Sequence, residues 1–297
     1  MIPVTKHVVV VITVLCSLLF AACGDREPAR PDLLRIGVLP DAGTETLKAR
    51  YAPLIEYLRV KTGYATELVI PASYEDLLTL FRNKAADLAF LGGYMYVLAH
   101  DRDHAVPLAM RDIDLQLTSL FLVRKDNPAA NLEDLKGKRF TFGSRLSTSG
   151  HLMPRYFLRE HDIVPEKFFS QTLYSGAHDT SAYWVRNGKV DATVVNSVII
   201  RKMFADGRLN DNDVRILWES PPFPDYVWAV QESMDPRLQQ QILDSLLSLS
   251  VEIPAERAIL AAVDAKRKFL PALDQDFNMA REAIKLLAIT ETTNAAP

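Results

Sequence analysis

An α/β fold of two lobes, each a mostly parallel sheet flanked by helices and the two joined by a two-stranded hinge, is what this sequence predicts. Three observations predict it. Strand-like and helix-like stretches alternate in two separate blocks, the signature of parallel sheets covered on both faces. Two extended, β-branched and aromatic-rich runs, 115–124 and 214–230, have no helix between their halves. The chain has 297 residues, 275 without the first 22, which exceeds what a single core usually serves.

The first block opens with the apolar strand 33–39. Helix 44–61 follows, with Leu47, Tyr51, Leu54, Ile55 and Leu58 near helical spacing and Gly63 beyond its end. Strand 65–70, helix 74–82 and strand 87–91 complete the block. The second block lies between the extended runs and reads strand 139–142, helix 149–160, strand 170–174, helix 179–187 and strand 191–195. Helices near 235–250 and 275–288 return to the first lobe. Lobe I therefore takes 33–117 and 222–297, and lobe II takes 118–221. No internal repeat or low-complexity tract is visible in the sequence.

The N-terminus predicts export. Lys6 and His7 precede an uncharged stretch from Val8 to Phe20, and Ala21 and Ala22 supply the small residues of a cleavage site. The stretch is short for a membrane span, which needs about 20 apolar residues. Phe20-Ala21-Ala22-Cys23 resembles a bacterial lipoprotein box with Phe in place of the usual Leu, so residues 1–22 read as a signal peptide and Cys23 as the lipidation site. The polar, proline-bearing segment 23–32 reads as a tether.

Composition excludes several functions. The two cysteines are Cys16 and Cys23, so the folded part carries neither a disulfide framework nor a thiolate metal site. Without Lys6 the chain has 33 basic and 37 acidic residues, a net charge of −4. With no basic run, nucleic acid is not an expected partner. The histidines show no paired-ligand spacing. His100 and His104 stand four apart, but Asp101-Arg-Asp103 between them reads as a solvated turn.

Chemistry concentrates in a few strand-to-helix turns. In Phe142-Gly-Ser-Arg-Leu-Ser-Thr-Ser-Gly-His-Leu-Met-Pro154, the residues Ser147, Thr148 and Ser149 fall at a helix start. Free amides and hydroxyls converge there, the dipole favours an anion, and Gly150 permits close approach. An ordinary Ser/Thr cap is the competing reading. In Tyr174-Ser-Gly-Ala-His-Asp-Thr-Ser181, His178 reads as an oxyanion donor or as a packing residue, and Asp179 as a helix cap. The first block supplies matching turns at Ser73-Tyr74 and Leu91-Gly-Gly-Tyr94. There Gly92 and Gly93 permit close approach, and Tyr74 or Tyr94 offers a hydroxyl or an aromatic wall. A hydrolase built on a serine of this region, His178 and an Asp is the enzymatic alternative. No Gly-x-Ser-x-Gly elbow supports it.

Beyond its leader the chain resembles, across nearly its whole length, the periplasmic phosphonate-binding proteins of ABC uptake systems. The resemblance rests on Ile36-Gly-Val-Leu-Pro40, Ser73-Tyr74, Asp87 to Gly92, Ser147-Thr-Ser-Gly150, Gly176-Ala-His178, Val190-Asp-Ala192 and Ser220-Pro-Pro-Phe-Pro-Asp225. It implies a two-lobed periplasmic binding protein fold without catalysis or cofactor. It further implies that Tyr74, Ser147, Thr148, Ser149 and His178 hold the oxygens of a phosphonate, phosphite or phosphate. Gly93, Tyr94, Asn196 and Asp225 complete the expected site. Asp225 resembles one of the acids that hold an ammonium in aminoalkyl-phosphonate binders, whereas Asn196-Ser-Val198 supplies no second carboxylate. The expected partners are an ABC permease or, alternatively, a membrane sensor kinase, with the protein itself a lipid-anchored monomer.

Overall fold

The computed structural model describes residues 33–287. The signal peptide, the tether and Cys23 lie outside these residues. Strands β1 (Leu33–Gly37), β2 (Ala65–Val69) and β3 (Leu88–Leu91) alternate with helices α1 (Thr44–Thr62), α2 (Tyr74–Arg82) and α3 (Gly93–Asp103), and β4 (Val106–Arg111) follows. The chain then crosses into β5 (Ser119–Arg124) and β6 (Arg139–Phe142). Next come α4 (Met153–Glu160), α5 (Pro165–Phe168), β7 (Gln171–Tyr174), α6 (His178–Arg186), β8 (Ala192–Asn196), α7 (Ser197–Ala205) and β9 (Val214–Glu219). It returns through β10 (Val227–Val230), α8 (Pro236–Ser248), α9 (Pro254–Ala262), β11 (Phe269–Pro271) and α10 (Asn278–Leu287).

Two sheets result, ordered β11-β4-β10-β3-β1-β2 and β7-β6-β8-β5-β9. Both are mixed. The parallel pairs are β1 with β2 and β3, and β6 with β7 and β8, whereas β10 pairs antiparallel with both β3 and β4 and β5 does so with both β8 and β9. Apart from β11, which pairs antiparallel with β4 at the sheet edge, the antiparallel strands adjoin the two crossings, because a chain passing from one sheet straight into the other enters it without a helical crossover. Next to β5 and β9, Leu117 and Phe223 form an antiparallel bridge, so the two crossings run side by side.

Alternation fixes which side chains face which layer. In β5, Leu120 and Leu122 join one core with Val195, Ile200 and Met203. Phe121 and Val123 join another with Phe140, Phe142 and Phe169 on the opposite face. The six-stranded sheet carries a larger core around Ile36, Leu54, Phe90 and Trp228, which continues into the other half through Leu146, Leu152, Met153 and Phe157.

The halves also share a device that no repeat in the sequence marks. Arg35 gives its backbone N–H and two guanidinium bonds to Asp87, and Arg139 does the same to Asp191, both across 52 residues. Each clamp ties the first strand of a block to the residue preceding its third.

Other differences from expectation have local causes. The expected helix 149–160 begins as a π-turn, Thr148–Leu152, before α4. Pro154 has no N–H for the carbonyls of Gly150 or Ser149. The first instead accepts from Gly143 N–H at 2.9 Å and the second from the Ser119 hydroxyl at 2.7 Å. The segment around His100 is not a solvated turn, since α3 runs through it to Asp103. His100 Nδ1 lies 2.9 Å from the Ala105 carbonyl oxygen and Tyr96 OH 2.8 Å from Asp274. Asp179 is not the helix cap. That position is held by Ala177 without a side-chain bond, and Asp179 Oδ1 accepts from the next amide, Thr180 N–H, at 2.6 Å. The last helix, α10, packs against α4 as well as α3, so it touches helices of both halves. No helix among the described residues is long and apolar enough to cross a membrane.

Candidate functional site

The turns singled out in the sequence meet where the two halves face each other. Ser147 is the N-cap of the π-turn, with its Oγ accepting from Gly150 N–H at 2.9 Å. Thr148 Oγ1 accepts from Tyr94 N–H at 2.9 Å, a bond from one half to the other. Ser149 Oγ accepts from Asn196 Nδ2 at 3.1 Å. Each of the three hydroxyls thus has a lone pair occupied by an N–H, which leaves its own hydrogen to be donated. All three residues are buried, at 3%, 1% and 0% exposure.

His178, the first residue of α6, is 1% exposed. Its Nδ1 accepts from Asn196 N–H at 3.2 Å, which places the ring proton on Nε2, 3.5 Å from Ser147 Oγ. Burial lowers its pKa from 6.5 to about 4, so at neutral pH it is an uncharged imidazole with one donor. The close packing of this corner requires Gly150, where a Cβ would stand 2.8 Å from His178 Cε1 and 2.9 Å from Ser147 Oγ.

The opposing half brings Asp225 and two tyrosines. Asp225 Oδ1 accepts from Gly93 N–H at 2.8 Å and Tyr226 N–H at 2.9 Å. The hydroxyls of Thr148 and Ser149 donate toward the same carboxylate, whose pKa burial nevertheless raises. Tyr74 and Tyr226 are 3% and 4% exposed, and burial holds both phenols protonated. Tyr74, at the start of α2, faces a cleft of about 390 Å³ walled by Ser73 and Glu75 on one side and Ser144, Arg145 and Gly176 on the other.

Hydrogen bonds thus join Gly93, Tyr94, Ser147, Thr148, Ser149, His178, Asn196 and Asp225 in one cluster, though not always in the expected capacity, while Tyr74 lines the cleft. Gly93 and Tyr94 enter through their backbone amides, bonded to Asp225 and Thr148. It is Gly92 whose missing Cβ admits the Thr148 and Asp225 oxygens, which would lie 3.1 and 3.4 Å from it. Asn196 caps α7 by accepting from Val198 and Ile199 N–H, while its Nδ2 also donates to Tyr226 OH at 3.2 Å across the cleft.

Sequence reasoning missed Tyr226 and Ser119. The former adjoins the Asp225 motif and could have been found from it; the latter lies in the outgoing crossing, where nothing local marks it. Behind Tyr226, Arg111 is bidentate to buried Asp114 and lies 5.2 Å from the tyrosine ring centre, while Asp114 O accepts from Asp225 N–H at 2.9 Å. Among the described residues, no group of three or more His, Cys, Asp or Glu is placed to hold a metal ion.

Known proteins share this arrangement of fold and sequence. The "probable ABC transporter phosphite binding protein PhnD1" of Prochlorococcus marinus (strain MIT 9301) is 29% identical over 278 residues, spanning 90% of this chain and 93% of that protein. The phosphate-import protein PhnD of Mycolicibacterium smegmatis (strain ATCC 700084 / mc(2)155) is 27% identical, over 82% and 81% of the two chains. A solved structure of the Prochlorococcus protein in complex with methylphosphonate superposes with a TM-score of 0.81 at 28% identity, covering 87% of this chain and 99% of that one. The family profile described as ABC transporter, phosphonate, periplasmic substrate-binding protein matches residues 36–277. The chain belongs to this periplasmic substrate-binding family of ABC transporters.

Proposed function

We propose that the protein captures a small tetrahedral phosphorus oxyanion, such as phosphite, methylphosphonate or phosphate, between its two halves and delivers it to an ABC permease. The observation that carries this reading is a buried cluster of donor groups, Ser147, Thr148, Ser149 and His178 Nε2–H, whose acceptor sides are occupied and of whose hydroxyls those of Thr148 and Ser149 are turned toward Asp225. Such an array replaces the hydration of an anion without a cation, each bond to the charge contributing about 1.5–3 kcal/mol. Tyr74 closes the site from the opposite half. An aminoalkyl ligand is disfavoured, because Asn196 stands where a second carboxylate would be needed. The ligands named for the relatives, phosphite, phosphate and methylphosphonate, agree with this choice, and their transport setting favours import over signalling to a kinase.

Capture proceeds by closure about the side-by-side crossings at Leu117 and Phe223, with the bonds Tyr94 to Thr148 and Asn196 to Tyr226 formed only when the halves meet. No turnover accompanies it. A serine hydrolase would need His178 Nε2 to accept the serine proton, yet Asn196 N–H occupies Nδ1 and leaves Nε2 as the donor. The protein works as a monomer outside the cytoplasm, held to the membrane by an acyl chain on Cys23.

Calorimetric titration of the purified protein with phosphite, methylphosphonate, aminoethylphosphonate, phosphate and sulfate tests the reading. Micromolar or tighter binding of at least one phosphorus oxyanion is expected, with a loss of about 2 kcal/mol for Ser149→Ala or His178→Ala. Saturable binding indifferent to both substitutions refutes the assigned pocket.

A further inference from the structure

We propose that the cleft outside the donor cluster is a second subsite, in which Arg145 takes a carboxylate carried on the substituent of the phosphorus oxyanion. The inference rests on the oxyanion reading above and adds the class of substituent. The two halves are already in contact through the bonds from Tyr94 to Thr148 and from Asn196 to Tyr226, yet the cleft beside Tyr74 retains about 390 Å³. Its floor meets the donor cluster. Gly143 and Ala177 line it, Ala177 directly precedes His178, and a Cβ on Gly143 would stand 3.7 Å from His178 Cε1. A substituent on an anion held by His178 and the hydroxyls therefore has room on this side without the halves parting.

Arg145 is built into the wall of this cleft. Its backbone carbonyl accepts from His151 Nδ1–H at 2.6 Å, and its guanidinium carbon lies 3.8 Å from the centre of the Tyr174 ring. That ring is itself fixed, because its hydroxyl accepts from Arg155 at 2.9 Å and its face stacks on Phe142 at 5.7 Å. Stacking sets the guanidinium plane without using its N–H groups. Among the described residues the Arg145 side chain makes no hydrogen bond or ion pair. The neighbouring Glu166 carboxylate is bonded to Arg155 instead. A half-buried guanidinium whose orientation is set and whose donors are open suits a planar carboxylate, which it meets with two parallel bonds.

The opposite wall carries an acid, Glu75, exposed in the first turn of α2. Arg145 and Glu75 are the charged residues that line the cleft, so a substituent here faces a cation from one half and an anion from the other. A carboxylate is drawn to the Arg145 wall and repelled from the Glu75 wall, which gives the cleft a direction as well as a charge preference. Phosphite and methylphosphonate carry no group of this kind and use the donor cluster alone.

Calorimetric titration of wild type, Arg145→Gln and Glu75→Gln with methylphosphonate, phosphonoacetate and phosphonoacetamide tests this. The last two differ only in whether the substituent ends in a carboxylate or in a neutral amide of the same shape, so the ratio of their affinities cancels any general effect of a substitution on the site. Wild type is expected to bind phosphonoacetate about tenfold more tightly than phosphonoacetamide, Arg145→Gln to lose that preference, and Glu75→Gln to widen it about twofold. A wild type that binds the two equally or favours the amide, or an Arg145→Gln that keeps the preference, overturns the role of Arg145. Binding of methylphosphonate with both longer ligands refused overturns the subsite and leaves oxyanion capture standing. Binding of none of the three removes the oxyanion reading and this inference with it. Should Arg145→Gln not fold, the wild-type preference and its widening in Glu75→Gln decide the matter together.

Discussion

Acidification will destabilise this protein through His151, a residue beneath the anion-binding turn rather than in it. His151 is 2% exposed. Its Nδ1–H donates to the Arg145 carbonyl at 2.6 Å, and its Nε2 accepts from Arg155 Nε–H at 2.8 Å. A second proton would therefore meet an arginine N–H head-on. Burial, reinforced by the Arg155 charge, lowers its pKa from 6.5 to about 3. The folded state thus refuses a proton that the unfolded chain accepts below about 6.5. Stability attributable to the neutral ring is complete above that value and declines through the window between 6.5 and about 3. Each pH unit inside the window removes about 1.4 kcal/mol, so moving from about pH 7 to about pH 5 removes about 2 kcal/mol.

Other groups contribute to the total. His178 acts in the same direction, while the raised pKa of Asp114, about 6, acts in the opposite one. Comparison with His151→Gln, which keeps a donor and an acceptor but does not titrate, isolates the term. Urea unfolding at both pH values should show wild type losing about 2 kcal/mol more than the variant. Equal losses would refute the argument that a buried neutral ring holds the turn.

Two further outcomes follow from the packing. Gly150→Ala places a methyl group against His178 and Ser147, so oxyanion affinity should fall by at least about tenfold in calorimetry while far-UV circular dichroism is retained. Arg111→Ala leaves the Asp114 carboxylate buried without its partner and should cost about 3–5 kcal/mol in chemical unfolding at neutral pH. That cost should shrink on acidification, because Asp114, already raised to about 6, then becomes neutral. A loss that does not vary with pH would show that the arginine acts by packing alone.

Much of the fold was legible because its strands are short apolar runs bounded by turn residues, as at β6, where the expected and observed limits coincide. Strand β4 was not, since Pro107 inside it argues against a strand. The structure accommodates that proline where the ladder to β10 shifts register and where β11, pairing only with Ala109, Met110 and Arg111, does not reach. At the site, Ser147, Thr148, Ser149 and His178 were legible because hydroxyls and a histidine cluster beside helix starts. The function of Asn196 was not, since one side chain serves Ser149, Tyr226 and two amides at once, a matter of three-dimensional neighbours. The π-turn escaped for a related reason: Pro154 announces the missing hydrogen bonds, but the groups that replace them, Gly143 and Ser119, lie in other segments.

The paired clamps Arg35 to Asp87 and Arg139 to Asp191 have a consequence for how the molecule comes apart. Each sheet has its own fastening, and the two apolar clusters on the faces of the five-stranded sheet draw on its own half alone, so loss of order need not spread from one to the other. Amide hydrogen exchange is expected to resolve two opening events of different free energy, and cutting one clamp with Asp191→Asn should speed exchange in β6 to β8 while leaving β1 to β3 protected.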